Sequence, residues 1–514
     1  MSRRAQLVVA LCLAFATRGA EAQADAPTFS ALDAVHLALK QNPDGQSAAA
    51  ELRRAEQNLS AADSRYVPVL LLDAGYTHTE NPSLNLGGVV TPRVNQVTTG
   101  AELRKRFALG TDVSARVQGN YQRVETTINP AMPDVVTLGP GYGLRARISV
   151  TQPLLRGAGH AVNLAELRGA RLERSAALHA RDRVLSQLVR DVLQAHWELW
   201  VAAQTLDIER RNRESALLQR DDALARERTG TLAAADVLAF EVRVAAAEEA
   251  IENAEASYTA RRAQLRRLLG TEPEGAPSGE PPLPERPTGD LRELALTESP
   301  AVLAQRAQVA LARQRAEVAS DPSRARLDLT GYVETQGLGN EEAAPALRQS
   351  AALEALSAHV SLSYEAPLTR ARERAQAASA GAAVEVPERT LESLELSLGA
   401  DLDAELSRFD ASRRRIDLAR RTVALAAAQR DAQVARFQSG SARALDVVQA
   451  EDTVRDAELR LLRARADLVQ SHAALLHVTG QLVRSFEVPP PGSPTTIPPG
   501  SRRGTPKRPS SPPS

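Results

Sequence analysis

The chain has 514 residues, with 63 basic and 63 acidic side chains for a formal net charge of zero. A neutral balance argues against a nucleic-acid binder, and the single cysteine, Cys12, excludes a disulfide framework, a cysteine zinc site and an iron–sulfur cluster. Aromatics are only 3 %, while Ala, Leu, Arg and Glu dominate, a mixture that favours long helices with charged faces.

Arg3 and Arg4 precede an apolar run from Leu7 to Ala16, and Ala20-Glu21-Ala22 follows as a small-x-small cleavage site. This is the pattern of a secretory signal, so residues 1–22 are expected to be removed and the mature chain exported. Ala22-Gln23-Ala24 is a second cleavage choice, and the alternative is an uncleaved anchor. Cys12 lies inside the apolar run after Leu11, where a lipidation site wants a small residue. No run in the rest of the chain is apolar and long enough for a transmembrane helix.

A helix is expected over Ser30–Ser64, with Asn42-Pro43 inside it, followed by a strand region. Within that region Thr98–Val124 reads as a hairpin turning at Leu109-Gly110-Thr111, adding two strands or forming an external loop. Val113, Ala115, Val117, Gly119 and Tyr121 alternate with Asp112, Ser114, Arg116, Gln118 and Asn120. Tyr142, Leu144, Ala146, Ile148 and Val150 likewise alternate with Gly143, Arg145, Arg147, Ser149 and Thr151. A period of two places one set on each face of a sheet. Segments of about ten such residues are the signature of transmembrane barrel strands, and the alternative is a soluble sheet with one wet face. Six of the seven tyrosines (Tyr66, Tyr76, Tyr121, Tyr142, Tyr332 and Tyr364) lie in or beside such stretches, as interfacial girdles would.

A helical stretch follows over His160–Arg228, then a tight turn at Thr229-Gly230-Thr231 and a helix of about 40 residues ending at Gly270. Val237, Val244, Ile251 and Tyr258 recur every seven residues, marking a coiled-coil seam. Residues 271–289, with six prolines, read as a non-helical connector.

The pattern then repeats. Residues 290–485 carry a helix over Asp290–Ser320 with Ser299-Pro300 inside it, and the alternating Leu356, Ala358, Val360, Leu362 and Tyr364. A helical stretch spans Thr369–Gln438, where Pro387 predicts a kink or a helix start. The turn Ser439-Gly440-Ser441 leads into a helix with Val447, Val454 and Leu461 at seven-residue spacing. Arg226–Gly270 aligns without a gap onto Arg436–Gly480, with Gly230 on Gly440 and Asp236-Val237 on Asp446-Val447. The chain is therefore read as two repeats, 28–270 and 290–485, before a proline-rich tail at 488–514 whose composition predicts disorder. The short and medium helices of each half together roughly equal the long one, and stacked end to end they are expected to pack antiparallel along it.

No catalytic constellation emerges. The eight histidines are scattered without a His-Glu-x-x-His pattern, and His472 and His477 do not share a helix face. Gly139-Pro140-Gly141-Tyr142-Gly143 opens a strand and is a turn, and no Walker sequence is present. Trp197 and Trp200 read as packing residues.

The signal peptide, the duplicated helix–strand–helix halves, Asn42-Pro43, Thr151-Gln152-Pro153-Leu154-Leu155-Arg156-Gly157 and the two Gly-x5-Asp-Val turns together resemble the TolC-like outer-membrane efflux proteins. The resemblance covers residues 28–485. It implies a mixed, mainly α fold, with long helical hairpins forming a periplasmic coiled-coil tunnel and transmembrane β-strands contributing to a shared trimeric barrel. It implies an outer-membrane channel of a tripartite efflux or type I secretion system, passive and without enzymatic activity or cofactor. The implied partners are two further copies, a periplasmic adaptor (membrane fusion protein), an inner-membrane pump of RND, ABC or MFS type and outer-membrane lipid, with no nucleic acid. By resemblance, Thr229, Gly230, Thr231, Ser439, Gly440 and Ser441 form the tip that docks the adaptor. Asp236 and Asp446 match family positions just inside the tip. The gate tyrosine position carries Phe437, the gate arginine position carries Ala442 with Arg443 beside it, and an inner acidic ring position carries Gln449. An Asp236–Arg443 link is a candidate replacement, and helix N-terminal charge compensation is the alternative for both aspartates. Arg145 and Arg147, opposite the apolar face, are candidate barrel-lumen residues. The rival reading is a soluble periplasmic coiled-coil adaptor or scaffold.

Overall fold

The structure, a computed structural model, describes residues 28–85, 88–129, 132–366 and 368–486. The signal segment 1–22, Cys12 and the tail 488–514 lie outside the described residues. The first half runs α1 (Ala31–Gln41), α2 (Pro43–Ser64), β1 (Val69–Glu80), β2 (Arg93–Arg106), β3 (Asp112–Asn129), β4 (Met132–Pro153), α3 (Ala165–Arg228) and α4 (Ala234–Leu269). The second runs α5 (Leu291–Glu298), α6 (Pro300–Ala319), β5 (Arg326–Asn340), β6 (Leu356–Glu365), α7 (Ala371–Ala382), α8 (Glu385–Gln438) and α9 (Ala444–Val478).

Each opening helix expected to be continuous is two helices. Asn42 (ψ 129°) and Ser299 (ψ 122°) are extended, because a residue before proline is pushed out of the helical region. Pro43 and Pro300 then start the next helix at the position where a missing N–H costs nothing. The two breaks are closed differently. Asn42 Oδ1 accepts from the Asp44 N–H at 2.8 Å and the Gly45 N–H at 3.3 Å, and its Nδ2 donates to the Leu268 carbonyl at 2.9 Å. Ser299 makes no side-chain cap. The second long stretch divides at Ala383 and Val384, and Pro387 falls in the first turn of α8, so it marks a start and not a kink.

With 64 residues, α3 is about 100 Å long. Its seam with α4 is denser than the seven-residue stripe. Phe240, Ala247 and Ala254 are buried between Val237, Val244 and Ile251, giving a full 3-4 repeat. The same holds in α9, where Ala450, Ala457 and Ala464 alternate with Val447, Val454 and Leu461. Alanine at these positions lets helices approach closely over a great length. The expected packing of each half on its own longest helix is only partly found. α6 lies between the halves: Gln314 donates to the Ala165 carbonyl at 2.9 Å and Arg315 pairs with Glu173 at 2.8 Å on α3, while Arg313 pairs with Glu388 at 2.7 Å on α8. A helix of about 30 Å flanked by two longer ones buries more surface by touching both.

These six strands form one antiparallel sheet in the order β6-β5-β4-β3-β2-β1, beside two short pairs, Thr28–Phe29 with Ala276–Pro277 and Ser83–Asn85 with Gly88–Val90. Both halves contribute to it, and the β2–β3 hairpin is inside it, which decides between added strands and an external loop. Its turn is tight: the Phe107 N–H bonds to the Thr111 carbonyl at 2.9 Å, with Gly110 at φ +92°. No described helix is long and apolar enough to cross a membrane.

The main helical core gathers Val35, Val189, Val192, Leu199, Leu265, Leu269 and Leu482. His196 is fully buried there, with ring centroids 5.3 Å from Phe29 and 5.0 Å from Trp197, and burial pushes its pKa down to about 4. Burial also lowers His477, again to about 4, beside the Ser186 hydroxyl at 2.8 Å.

Two expectations follow from these contacts. Asn42→Ala should cost about 1–2 kcal/mol, since it removes a cap and strands the Leu268 carbonyl, whereas Ser299→Ala should cost well under about 1 kcal/mol. Denaturant titration followed by helical circular dichroism separates them. Unfolded histidine binds its proton near pH 6.5 and these two near pH 4, so their contribution is complete above pH 6.5 and is lost as pH falls toward 4. It amounts to about 3 kcal/mol each at about 1.4 kcal/mol per pH unit. His196→Leu should therefore flatten the fall in melting temperature between pH 7 and pH 4.5.

Candidate functional site: the polar sheet face and the hairpin tips

Register sorts the sheet into two faces. One row reads Leu72, Ala101, Val117, Ala146, Thr335 and Leu356, and neighbouring rows on that face add Leu70, Leu103, Ala115, Ile148, Val333 and Val360. Many of these are exposed, with Leu72 at 69 % and Val360 at 76 %. Tyr76, Tyr121 and Tyr142 lie in one row at the far end of this face, Tyr121 and Tyr142 edge-to-face at 5.4 Å. Tyr364 lies at the opposite end of the same face. Tyr332 departs from the girdle expectation. It is on the polar face, stacked on His359 at 5.0 Å under the Arg147 guanidinium at 4.3 Å, because its register pairs it with Ser149 and His359. Tyr66 donates to the Asn163 carbonyl where helices meet sheet.

The opposite face is a belt of paired charges. Arg116 joins Asp73 at 3.0 Å and Glu102 at 3.1 Å, and Glu102 also receives Arg104 at 2.9 Å. Arg147 donates to Glu334 at 2.6 Å, with Arg145 at 3.3 Å from the same carboxylate. Arg145 and Arg147 thus lie on the polar face, as the alternation predicts. Asp73 was not legible as the partner of Arg116, because the run Val69-Leu70-Leu71-Leu72 hides the period of two at the start of β1.

At the other extreme, the two hairpin tips are nearly superimposable in detail. Gly230 and Gly440 both have φ +74°, a conformation L side chains rarely adopt. Thr229 and Thr231 hydroxyls donate to the Arg226 carbonyl at 2.9 and 3.0 Å; those of Ser439 and Ser441 donate to Arg436 at 2.9 and 3.1 Å. These hydroxyls close the outgoing helix and do not cap the returning one, since the reversal brings them under the last free carbonyls. All six residues are exposed. Asp446 accepts the Arg443 N–H at 3.0 Å, so it caps its own helix. No ion pair joins Asp236 to Arg443 among the described residues, and Gln449 is exposed. Phe437 packs edge-to-face on Phe240 at 5.9 Å, with the Arg226 guanidinium 5.5 Å from its centroid, so an apolar contact joins the two tips.

A sequence profile of outer membrane efflux proteins matches residues 291–481. Solved structures resemble nearly the whole chain. The outer-membrane channel OprN matches with TM-score 0.64 at 18 % identity, over 88 % of this chain and 90 % of that one. The outer membrane protein VceC from Vibrio cholerae matches with TM-score 0.62 at 16 % identity, over 88 % and 96 %. The open state of the Neisseria gonorrhoeae MtrE outer membrane channel matches with TM-score 0.61 at 17 % identity, over 89 % and 91 %. No curated protein sequence matches.

Residues 291–481 belong to the outer membrane efflux protein family. Over that segment the chain carries the sequence of outer membrane efflux proteins, and nearly the whole chain has the fold of solved outer-membrane channels.

One polar layer of the channel was missed from sequence. Arg243 on α4, only 5 % exposed, pairs with Glu451 on α9, and its guanidinium also donates to Gln219 and, at 3.2 Å, to Asn212 on α3. Gln219 in turn donates to Glu451. Nearby Glu209 is 3.9 Å from Arg455, and burial pushes its pKa up. Arg243 and Glu451 flank the apolar seams of their helices, the positions where coiled coils place charge pairs, and that signal was available. Removing one partner of a buried pair strands the other, at about 3–5 kcal/mol, whereas replacing both by apolar residues is near neutral. Glu451→Leu should therefore loosen the hairpins, read as faster proteolysis near the tip, and Arg243→Met/Glu451→Leu should restore protection.

Proposed function

We propose that this channel conducts substrate through a trimeric lumen whose membrane part is lined by the polar sheet face, with Arg145 and Arg147 among its lining. Channels of this family are trimers that work with efflux pumps. The observation that carries the reading is a single sheet, apolar on one face and charged on the other, continuous with hairpins about 100 Å long. A sheet in lipid turns its apolar face outward, which leaves the charged face to water. Because its acids are paired with arginines, the wall presents a mixed field of both signs, suited to weak selectivity.

In this reading the tip residues Thr229, Gly230, Thr231, Ser439, Gly440 and Ser441 dock a periplasmic adaptor, which links the duct to an inner-membrane pump. The tip is exposed, rigidly turned and farthest from the sheet, and no other described surface reaches as far. Asp236, Asp446, Arg443, Phe437 and Gln449 line the approach to that end. The Phe240–Phe437 contact and the Arg243–Glu451 layer hold the two hairpins of one chain together there, in place of links among polar tip side chains.

Cysteine crosslinking tests the docking, since Cys12 is the only native cysteine. Thr231→Cys and Ser441→Cys, carrying a short bifunctional reagent in cells, should each yield one adduct with a periplasmic, inner-membrane-anchored adaptor. Leu72→Cys on the apolar sheet face should yield none. An adaptor captured from Leu72 and not from the tips would refute the orientation.

A further inference from the structure

The geometry points to a barrel of eighteen strands, six from each of three copies, closed by β1 of one copy pairing antiparallel with β6 of the next. The inference rests on the trimeric reading above and adds the strand count, the closing edges and the consequence for lumen width.

The two halves are unequal. The second contributes β5 and β6, whereas the first contributes β1 to β4, and the surplus is the β2–β3 hairpin. Three observations make that hairpin wall and not plug or loop. Its strands pair over their full length with β1 on one side and β4 on the other, from Arg93↔Glu80 to Asp112↔Thr151. Its outward residues Leu103, Ala101, Val113, Ala115 and Val117 continue the apolar face across the centre of the sheet. Its turn is anchored at the helical end, where the Gly159 N–H donates to the Leu109 carbonyl at 3.2 Å and Thr111 bonds to Gln152.

The outermost strands, β1 and β6, each have one unpaired edge in the sheet. In lipid such edges cannot stay open, because no water replaces the missing bonds. Six is an even number, so β1 and β6 run in opposite directions, and a head-to-tail ring of copies joins them antiparallel without reversing any strand. Faces match as well. Leu70, Leu72, Ala74 and Tyr76 on β1 and Leu356, Val360, Leu362 and Tyr364 on β6 all lie on the apolar side, so the joined wall keeps one lipid face.

The register also shows the hairpin to be removable. Asp73, Gly100, Gln118 and Arg145 lie in one row, so without β2 and β3 the carboxylate of Asp73 would stand opposite Arg145 in a four-stranded sheet. β1 and β4 are antiparallel, which preserves the alternation. Barrel diameter grows roughly linearly with strand number, so the hairpin widens the lumen by about half over a twelve-stranded ring and gives a water-filled channel.

Electron cryomicroscopy of the detergent-extracted particle tests this directly. Eighteen strands around a three-fold axis are expected, and a variant lacking residues 93–129 should show twelve. Three copies with a twelve-stranded wild-type barrel would overturn the inference while leaving the trimer intact; a two-copy or single-copy particle would overturn the trimeric reading itself. Should the deletion variant not assemble, fluorophores on full-length protein in vesicles decide. A label at Val117→Cys should be quenched by brominated lipid and spared by iodide, and a label at Gln118→Cys should show the reverse. Iodide quenching of both would place the hairpin in water and refute its role as wall.

Discussion

The requirement that every backbone N–H and C=O find a partner inside a bilayer governs this molecule. Six strands in one antiparallel ladder satisfy it everywhere except along the outer edges of β1 and β6. In the proposed barrel those two edges make the chain dependent on its own copies. They also explain why strands from both ends of a long sequence enter one sheet: a shared ladder leaves two open edges where separate sheets would leave four. The side chains follow the ladder. One face holds Leu, Val, Ala and Tyr, while the other holds arginines paired with Asp73, Glu102 and Glu334. The arginines of these pairs stay partly exposed and hydrated, so the pairing organises this face more than it stabilises it.

Away from the membrane the problem becomes one of length. A helix such as α3 cannot be held by its ends, so stability is distributed along seams of Ala and Val that bring α4 and α9 close. Short helices fill the remaining groove, and the X-Pro breaks at Asn42 and Ser299 redirect them where the chain turns along the bundle. Against this uniform packing, Arg243 with Glu451, Gln219 and Asn212 forms a polar layer that fixes which helices meet and in what register. Apolar seams alone slide, and a buried pair with directional donors does not.

Much of this was legible in the residues. The two glycine turns, the seven-residue stripes, the alternating faces of β3, β4 and β6, and the placement of Arg145 and Arg147 opposite the apolar face all follow from local pattern. Local pattern also erred in traceable ways. Asn42-Pro43 and Ser299-Pro300 read as interior to a helix because the flanking periodicity continues across them. The turn sequences did not show that the reversal sets Thr231 and Ser441 under carbonyls of the preceding helix. Tyr332 counted as a girdle residue until its register placed it beside His359.

By itself the sequence determined the long helices, the two glycine turns and the apolar faces of β3, β4 and β6, since periodicity reports a residue's immediate neighbours. It also determined that the chain is a duplication, through gapless repetition about Gly230 and Gly440. Only the tertiary structure decided that the β2–β3 hairpin lies within the sheet, that α6 bridges the halves, and that Arg243 meets Glu451. Each of these joins residues far apart in the chain. No periodicity encodes such a choice, which is made by the competition for buried surface and hydrogen-bond partners in the assembled molecule.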